Sequence, residues 1–358
     1  MLWFDDIIVK RDFLVKVVWE MKNSISIKDI SKQAGVSIAT VSRIINKNGR
    51  YSEETEKRVM DIIKANNYVP NMVAKGLRTQ KMKNVGIIVP DITNEFFMKL
   101  VYEIEKNLFK EGYETFLCNT DEDEEQEHKR VHMMAMQNVC SLIYVSGGVS
   151  DLQDAIKDLP TVFIDRVPDE ALGNYCTVES DNIQGGYLAT KELLDCGCHN
   201  ILLLTSRKKI SGYVERFEGY VKALLREGLE AADIHVVYLE QLNYDAAYKE
   251  MVRMLDEGVF SYDGIFATSD WLAIGCYKAL TERGYRIPQD VKLVGYDDIS
   301  VTAFNGVPIT TIHQQVDEMG ARVVEQLLSI MRQEKVKQDV IKVPVYLVPR
   351  ESTRGKTE

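Results

Sequence analysis

The chain has 358 residues, 45% hydrophobic and 27% charged, which fits two or three globular domains and excludes a disordered or collagen-like protein. No apolar run approaches the ~20 residues needed to cross a bilayer, and six irregularly spaced cysteines do not make a disulfide framework, so neither a membrane protein nor a disulfide-stapled secreted scaffold is expected. The net charge of −10 is unevenly spread: residues 22–81 carry twelve Lys/Arg against five acids, a net +7, leaving −17 on the rest and placing a basic, phosphate-compatible head on an acidic body.

Residues 1–20 form an extension with no assigned role. Asp5, Asp6, Lys10, Arg11, Asp12 and Lys16 interrupt any apolar core, and no small-residue cleavage site follows, so a signal peptide is not expected and a cytoplasmic protein is. Met21, just ahead of the first patterned segment, is a candidate initiator. Residues 22–70 read as a DNA-binding head of three short helices. The first, over 27–34, has Ile27, Ile30 and Ala34 on one face; Gly35 permits a tight turn, and Val36 plugs it. Ser37 caps a second helix over 38–46, with Val41, Ile44 and Ile45 inward. Ser52 caps a third, with Val59, Ile62 and Ile63 inward and Tyr68 closing the unit before Pro70.

Helix, glycine turn and helix make either a helix-turn-helix or an ordinary helical hairpin. In a major groove, Arg43 is able to donate two bonds to guanine, Ile38 and Ala39 to touch thymine methyls, and Ser37, Thr40 and Ser42 to reach phosphates. A short helical stretch, 71–77, and a polar linker, 78–84, come next.

From residue 85 the texture is that of an α/β fold. Aliphatic runs at 85–89, 114–118, 141–146, 161–165, 200–205, 235–239, 264–268 and 291–297 alternate with amphipathic segments. Strands buried on both faces and separated by helices specify doubly wound parallel sheets. Their number exceeds one ordinary sheet, so residues 85–352 are read as two lobes with a ligand cleft between them.

AGVSIATVSRIIN, followed by YVPNMVAKGLRT at 68–79, resembles the LacI/GalR family of bacterial repressors, with matching order and spacing across about residues 22–352. The resemblance implies base contacts at Ile38, Ala39 and Arg43, a hinge helix from Asn71 onward, and a minor-groove wedge at Leu77, an apolar side chain that unstacks a base step. Gly76 costs ~1 kcal/mol of helix propensity, so this short hinge is expected to order only with DNA and a partner chain.

The body resembles the family's periplasmic-binding-protein-like core, and the matching motifs imply effector-binding residues. DITNEFF gives Asn94 and Phe96, with Phe97 assigned to the helix's apolar stripe. FIDR gives Asp165 and Arg166, and GYVERFEGY gives Arg216. Tyr244, Ser269 with Asp270, Asp297 and Gln314 complete the set. Aromatics stack on sugar faces, and Asp, Arg, Asn and Gln bridge hydroxyls. Ser269 departs from the family's usual asparagine and loses an amide bond.

DEDEEQE at 121–127 reads as the acidic opening of a solvated helix. Glu124, His128 and His132 share a helical face but lack a further ligand for zinc, and CGCH at 196–199 reads as a turn. No Walker loop, G-x-S-x-G or G-x-G-x-x-G after a strand is present. The expectation is a non-enzymatic regulator without cofactor or metal. It is a homodimer that reads a palindromic double-stranded operator and responds to a small molecule, most simply a sugar. The alternatives are a nucleobase-responsive member of the same family, an extracytoplasmic sugar-binding protein, and a doubly wound enzyme. The polar tail from Arg350 carries no leucine heptad, which favours a dimer over a tetramer.

Overall fold

The computed structural model describes residues 25–66, 68, 83–145, 159–165, 175–208, 210–334 and 340–355, and the chain divides into two compact units at Lys81/Met82. Among the described residues the first unit holds α1 (Ile27–Ala34), α2 (Ile38–Ile45) and α3 (Glu53–Ala65). Each opens on a serine. Ser26 and Asp29 exchange bonds in a capping box, with Ser26 Oγ accepting from Asp29 N at 3.3 Å and the Asp29 carboxylate accepting from Ser26 N at 3.1 Å. Ser37 and Ser52 accept from Thr40 N at 3.1 Å and Thr55 N at 3.3 Å. A cap contributes ~1 kcal/mol, a large share for eight-residue helices that are marginal alone. Gly35 takes φ 66°, the left-handed turn that brings α2 across α1. Ile30, Ala34, Val41, Ile44 and Val59 are buried together, with Val36, Ile45, Ile62, Ile63 and Tyr68 half-buried around them. The second helix ends one residue earlier than expected, because Asn46 turns its amide back to Ser42 O at 2.7 Å and closes the helix.

The second unit has the expected two lobes. The first is built on β1 (Asn84–Val89), β2 (Glu114–Asn119), β3 (Ser141–Tyr144), β4 (Thr161–Ile164), β5 (Tyr175–Ser180) and β11 (Val340–Val343). They form a parallel sheet in the order β11-β5-β4-β3-β1-β2. On one face α4 (Glu95–Lys110) and α10 (Val316–Met331) bury Leu100, Ile104, Leu108, Val323 and Leu327; on the other, α5 (Glu124–Met136) buries Val131 and Met134.

The second lobe has β6 (Ile201–Ser206), β7 (His235–Leu239), β8 (Gly264–Ala267) and β9 (Lys292–Val294) in the parallel order β7-β6-β8-β9. Here α6 (Asn182–Asp195) and α7 (Ser211–Arg226) pack on one face, α8 (Tyr244–Asp256) and α9 (Asp270–Glu282) on the other. The pair β10 (Thr311–Gln314) and β12 (Val345–Val348) is antiparallel. Helices α6 and α7 meet backbone to backbone: a Cβ on Gly186 would lie 2.1 Å from Arg216 O, and one on Gly219 2.1 Å from Ile183 O. Among the described residues the chain passes between lobes at 180–182, 314–316 and 343–345.

Three features differ from the sequence expectation. Strands β5, β10, β11 and β12 were not among the expected runs. β2 is not buried on both faces: it is the sheet edge, with Phe116 and Leu117 exposed. The polar segment after Arg350 is packed into the second lobe over residues 351–354. It forms α11 (Glu351–Arg354), with Ser352 and Thr353 buried, Ser352 Oγ donating to Leu293 O at 2.6 Å, and Arg354 paired with Glu192 at 2.6 Å.

Candidate functional site

On the first unit the apolar face of α2 is spent on Val41 and Ile44. Ser37, Ile38, Ala39 and Arg43 are exposed, and Thr40 and Ser42 half-exposed. The Ile38 side chain is an exposed large hydrophobic that the head's own core does not use. Ser37 Oγ is engaged by Thr40 through its N–H and its hydroxyl (2.9 Å), which pins the start of α2. The result is a rigid, small-residue helix end with one long cation, the shape and chemistry of a groove-reading surface. Asn71 and Leu77 lie outside the described residues.

In the second unit, strand ends and helix starts from both lobes converge on one chamber. Asp165 follows β4, Asp297 follows β9, Arg216 sits in the second turn of α7, and Asn94 caps α4 by accepting from Phe96 N at 3.0 Å. Arg216, only 5% exposed, donates from Nε to Asn182 Oδ1 at 2.9 Å and from Nη1 to Thr268 O at 2.6 Å. Its guanidinium lies 3.7 Å from the Tyr296 ring centroid and Nη1 is 3.9 Å from Asp297 Oδ1. Burial works against this charge, and Tyr296, Asp297, Tyr213 and Asp165 more than restore it.

Burial pushes both carboxyls up, Asp297 to about 7, with Arg216 opposing the rise in each case. Asp165 Oδ1 accepts from Ser180 N at 2.7 Å, at the crossover between lobes. Asp297 Oδ1 accepts from Gln314 Nε2 at 2.6 Å, and Ser180 Oγ donates to Gln314 Oε1 at 2.6 Å. Gln314 is therefore a buried support for Asp297 at a second crossover and does not line the chamber. Asp165 and Asp297 take φ 51° and 115°, backbone that a non-glycine adopts at a cost of about 1–3 kcal/mol. Such strain persists where the surroundings hold it, and it clusters at binding sites.

The chamber is about 30 Å³, room for water only, but it shares the walls Asn94, Phe97 and Tyr213 with a wider cavity of about 570 Å³. Together they reach the size of small-ligand sites. Phe96 is 5% exposed and meets Phe97 edge-to-face at 5.3 Å; Phe97 serves both the core of the first lobe and the cleft wall. Ser269 lines the wider cavity and caps α9. Asp270 instead accepts from Ile299 N and Thr311 Oγ1 in the interior of the second lobe.

Tyr244 lines neither cavity: it stacks on Tyr248 along α8, while Leu242 and Asn243 reach the wall. Arg166 lies outside the described residues. Tyr213, Lys208 and the 121–123 turn were not picked out from sequence. Tyr213 is one turn before Arg216 and was legible; the others face the cleft only because the lobes juxtapose them. Bonds that join the lobes include Glu95 accepting from Ser300 N (3.0 Å) and Oγ (2.7 Å), Lys208 donating to Glu122 O at 2.9 Å, Ser211 Oγ donating to Asp165 O at 3.0 Å, and Lys342 pairing with Glu215 at 3.2 Å. Among the described residues no group of three or more His, Cys, Asp or Glu is placed to hold a metal, and no helix is long and apolar enough to cross a membrane.

Residues 26–71 match the model of the bacterial regulatory proteins of the lacI family, and residues 82–351 that of the periplasmic binding proteins and sugar binding domain of the LacI family. The HTH-type transcriptional repressor PurR of Pasteurella multocida is 31% identical, over 92% of this chain and 99% of its own. The ribose operon repressor of Halalkalibacterium halodurans is 34% identical, over 92% and 97%. The Lac repressor dimer bound to operator and the anti-inducer ONPF superposes with a TM-score of 0.83 at 25% identity, covering 92% of this chain and 99% of that one. Coverage of both the head and the two-lobed body at these identities places the chain in the LacI family of bacterial regulatory proteins, which are DNA-binding transcriptional repressors and not enzymes.

Proposed function

We propose that this repressor is a homodimer that reads a palindromic operator and whose DNA affinity is set by a sugar or sugar derivative held between the two lobes. The observation that carries the effector assignment is the Asp165–Arg216–Asp297 chamber, in which charged groups from both lobes converge beside Phe97 and Tyr213. Carboxylates accept from hydroxyls, the guanidinium donates to ring and hydroxyl oxygens, and the aromatics cover the apolar sugar face. Asn94, Phe96, Ser269 and the supporting Gln314 belong to the same site; Arg166 and Tyr244 are assigned to it by the family pattern. The similarity to a ribose operon repressor supports a sugar.

On DNA, Ile38, Ala39 and Arg43 read bases, Ser37, Thr40 and Ser42 hold phosphates, and the segment from Asn71 to the Leu77 wedge forms the hinge. The exposed Tyr102 and Phe109, seven residues apart on α4, and Leu117, on the same face of the sheet in the edge strand β2, offer an apolar surface for the second copy. Closure of the lobes on ligand shifts their angle, and residues 71–84 pass the shift to the heads. Ligand and DNA are then coupled reciprocally, typically by ~1–3 kcal/mol.

The test is to select the operator with the full chain. Its affinity is then measured with a panel of sugars and nucleobases, on the parent and on Asp297→Ala. A sugar response that vanishes in the variant, with ligand-free operator affinity within a few fold, is expected. A nucleobase response with no sugar response refutes the sugar assignment, and an unchanged response in the variant removes Asp297 from the site.

A further inference from the structure

We infer that the cleft selects an uncharged or cationic effector and rejects phosphorylated and other anionic ones; this rests on the effector reading above and adds its charge class. Among the described residues the wider cavity is lined by five carboxylates, Asp91, Asp121, Glu122, Asp123 and Glu240, and by one ammonium, Lys208. Several acids are fixed in place. Asp123 caps α5 through Gln126 N at 2.8 Å, and Asp91 accepts from the N–H (2.8 Å) and hydroxyl (2.7 Å) of Thr93. Glu240 is partly compensated by Arg207 at 2.9 Å, in an exposed pair.

Among the described residues two cations face the cleft, and each already spends part of its donor set. Lys208 donates to the Glu122 carbonyl across the lobes. Arg216 commits Nε to Asn182 and Nη1 to Thr268 O, and both Asp165 and Asp297 line its chamber. A phosphate that reached the remaining donors of these two cations would still sit, among the described residues, beside five carboxylates at the mouth and the two that face Arg216 in the chamber. A cleft in which one sign of charge predominates focuses that field. Hydroxyls, by contrast, donate to these carboxylates, and an ammonium group is attracted to them. The anionic mouth thus acts as a filter ahead of the chamber.

The field is read first without any ligand. Gln241 is an exposed wall residue, and Gln241→Cys in the full chain is modified with a cationic (trimethylammonio-ethyl) and an anionic (sulfonato-ethyl) methanethiosulfonate, with the parent chain as background. A potential of about −1 kT at the thiol favours the cationic reagent by roughly sevenfold over the ratio for free cysteine at low salt, and the preference shrinks toward one at high salt. Adding Asp121→Asn and Glu240→Gln is expected to lower it. A ratio at or below that of free cysteine overturns the proposal.

Matched pairs are then compared by calorimetry: D-ribose with its 5-phosphate, and D-glucose with its 6-phosphate. A sugar that binds is expected to lose about 100-fold or more on phosphorylation, and a phosphate that binds as tightly as its parent sugar overturns the proposal. If neither sugar nor phosphate binds, the sugar reading loses its support, while the reagent ratio still decides the charge selection.

Discussion

Asp297→Asn removes one charge and keeps the acceptor that Gln314 Nε2 uses at 2.6 Å. Burial raises the Asp297 carboxyl from 3.8 to about 7 in the folded chain, so the native state holds a proton that the unfolded state has lost. The stability cost of the ionised group is therefore absent below pH 4, grows as pH rises through this window, and levels off above the folded pKa. Between pH 5.5 and 7.5 one such carboxyl lowers stability by about 2 kcal/mol, a melting shift of a few degrees in a unit of this size.

Burial likewise raises the Asp165, Asp270 and Glu215 carboxyls, so the parent slope alone identifies nothing. The difference between variant and parent isolates Asp297. Thermal unfolding of both full-length proteins at pH 5.5, 6.5 and 7.5 is expected to show the variant gaining on the parent as pH rises. Parallel pH curves would refute a buried, proton-holding Asp297, and with it the argument that a ligand hydroxyl is what this carboxyl awaits.

Arg43→Ala is expected to cost ~1–3 kcal/mol of specific operator binding and to relax one base position, checked with a base-substitution panel; an unchanged preference removes Arg43 from base reading. Leu77→Ala should reduce operator bending measured by energy transfer while leaving effector affinity unchanged, and an unchanged bend angle means that Leu77 is not the wedge. Gly186→Ala places a Cβ against the backbone of Arg216, where no rotamer relieves it, so a loss of about 2 kcal/mol or more in urea unfolding and weaker effector binding are expected; parental values for both would show that α6 and α7 separate easily. Deleting residues 1–20 should leave operator and effector binding intact, and a large loss of either makes that segment functional.

The head was legible because its signals are local. Serine caps, Gly35 and a 3–4 spacing of apolar residues fix three helices without help from elsewhere in the chain. Most of the body's buried strands were legible for the same reason, but β5, β10, β11 and β12 were not. In β5 the sequence YCTVES includes Glu179, which is 4% exposed and tolerated only because Lys342 of β11 reaches it at 2.9 Å. That pair joins segments 163 residues apart in sequence, and no window around either residue contains it. β12, VYLV, is a four-residue apolar run whose antiparallel partner β10 lies more than thirty residues earlier, and Thr310 and Arg350 lock its end in place, with Arg350 N donating to Thr310 Oγ1 at 2.8 Å. The 121–123 turn was legible as the approach to a helix, but its position at the mouth of the cleft depends on which loop of the second lobe lies opposite, a property of two sheets and not of one sequence window.

The pair Asp297–Asp298 shows how far residue type carries such an argument. Both residues follow β9 with positive φ, 115° and 56°, where glycine would be the cheap choice. The sequence singles out the first and is silent on the second. In the structure they divide the work. Asp297 turns into the chamber toward Arg216, while Asp298 accepts from His313 Nδ1 at 2.8 Å and pairs with Arg350, which also donates to Ile309 O at 2.9 Å. These partners hold the Asp298 carboxyl below its usual range even though its half-buried position works the other way. The backbone strain needed to aim Asp297 is thus offset next door, by ion pairing on β10 and the residues after β12. An aspartate at a left-handed position that has its own carboxylate tied down is an anchor; its neighbour, with a carboxyl pushed up by burial and facing a cavity, is the one left to meet a ligand.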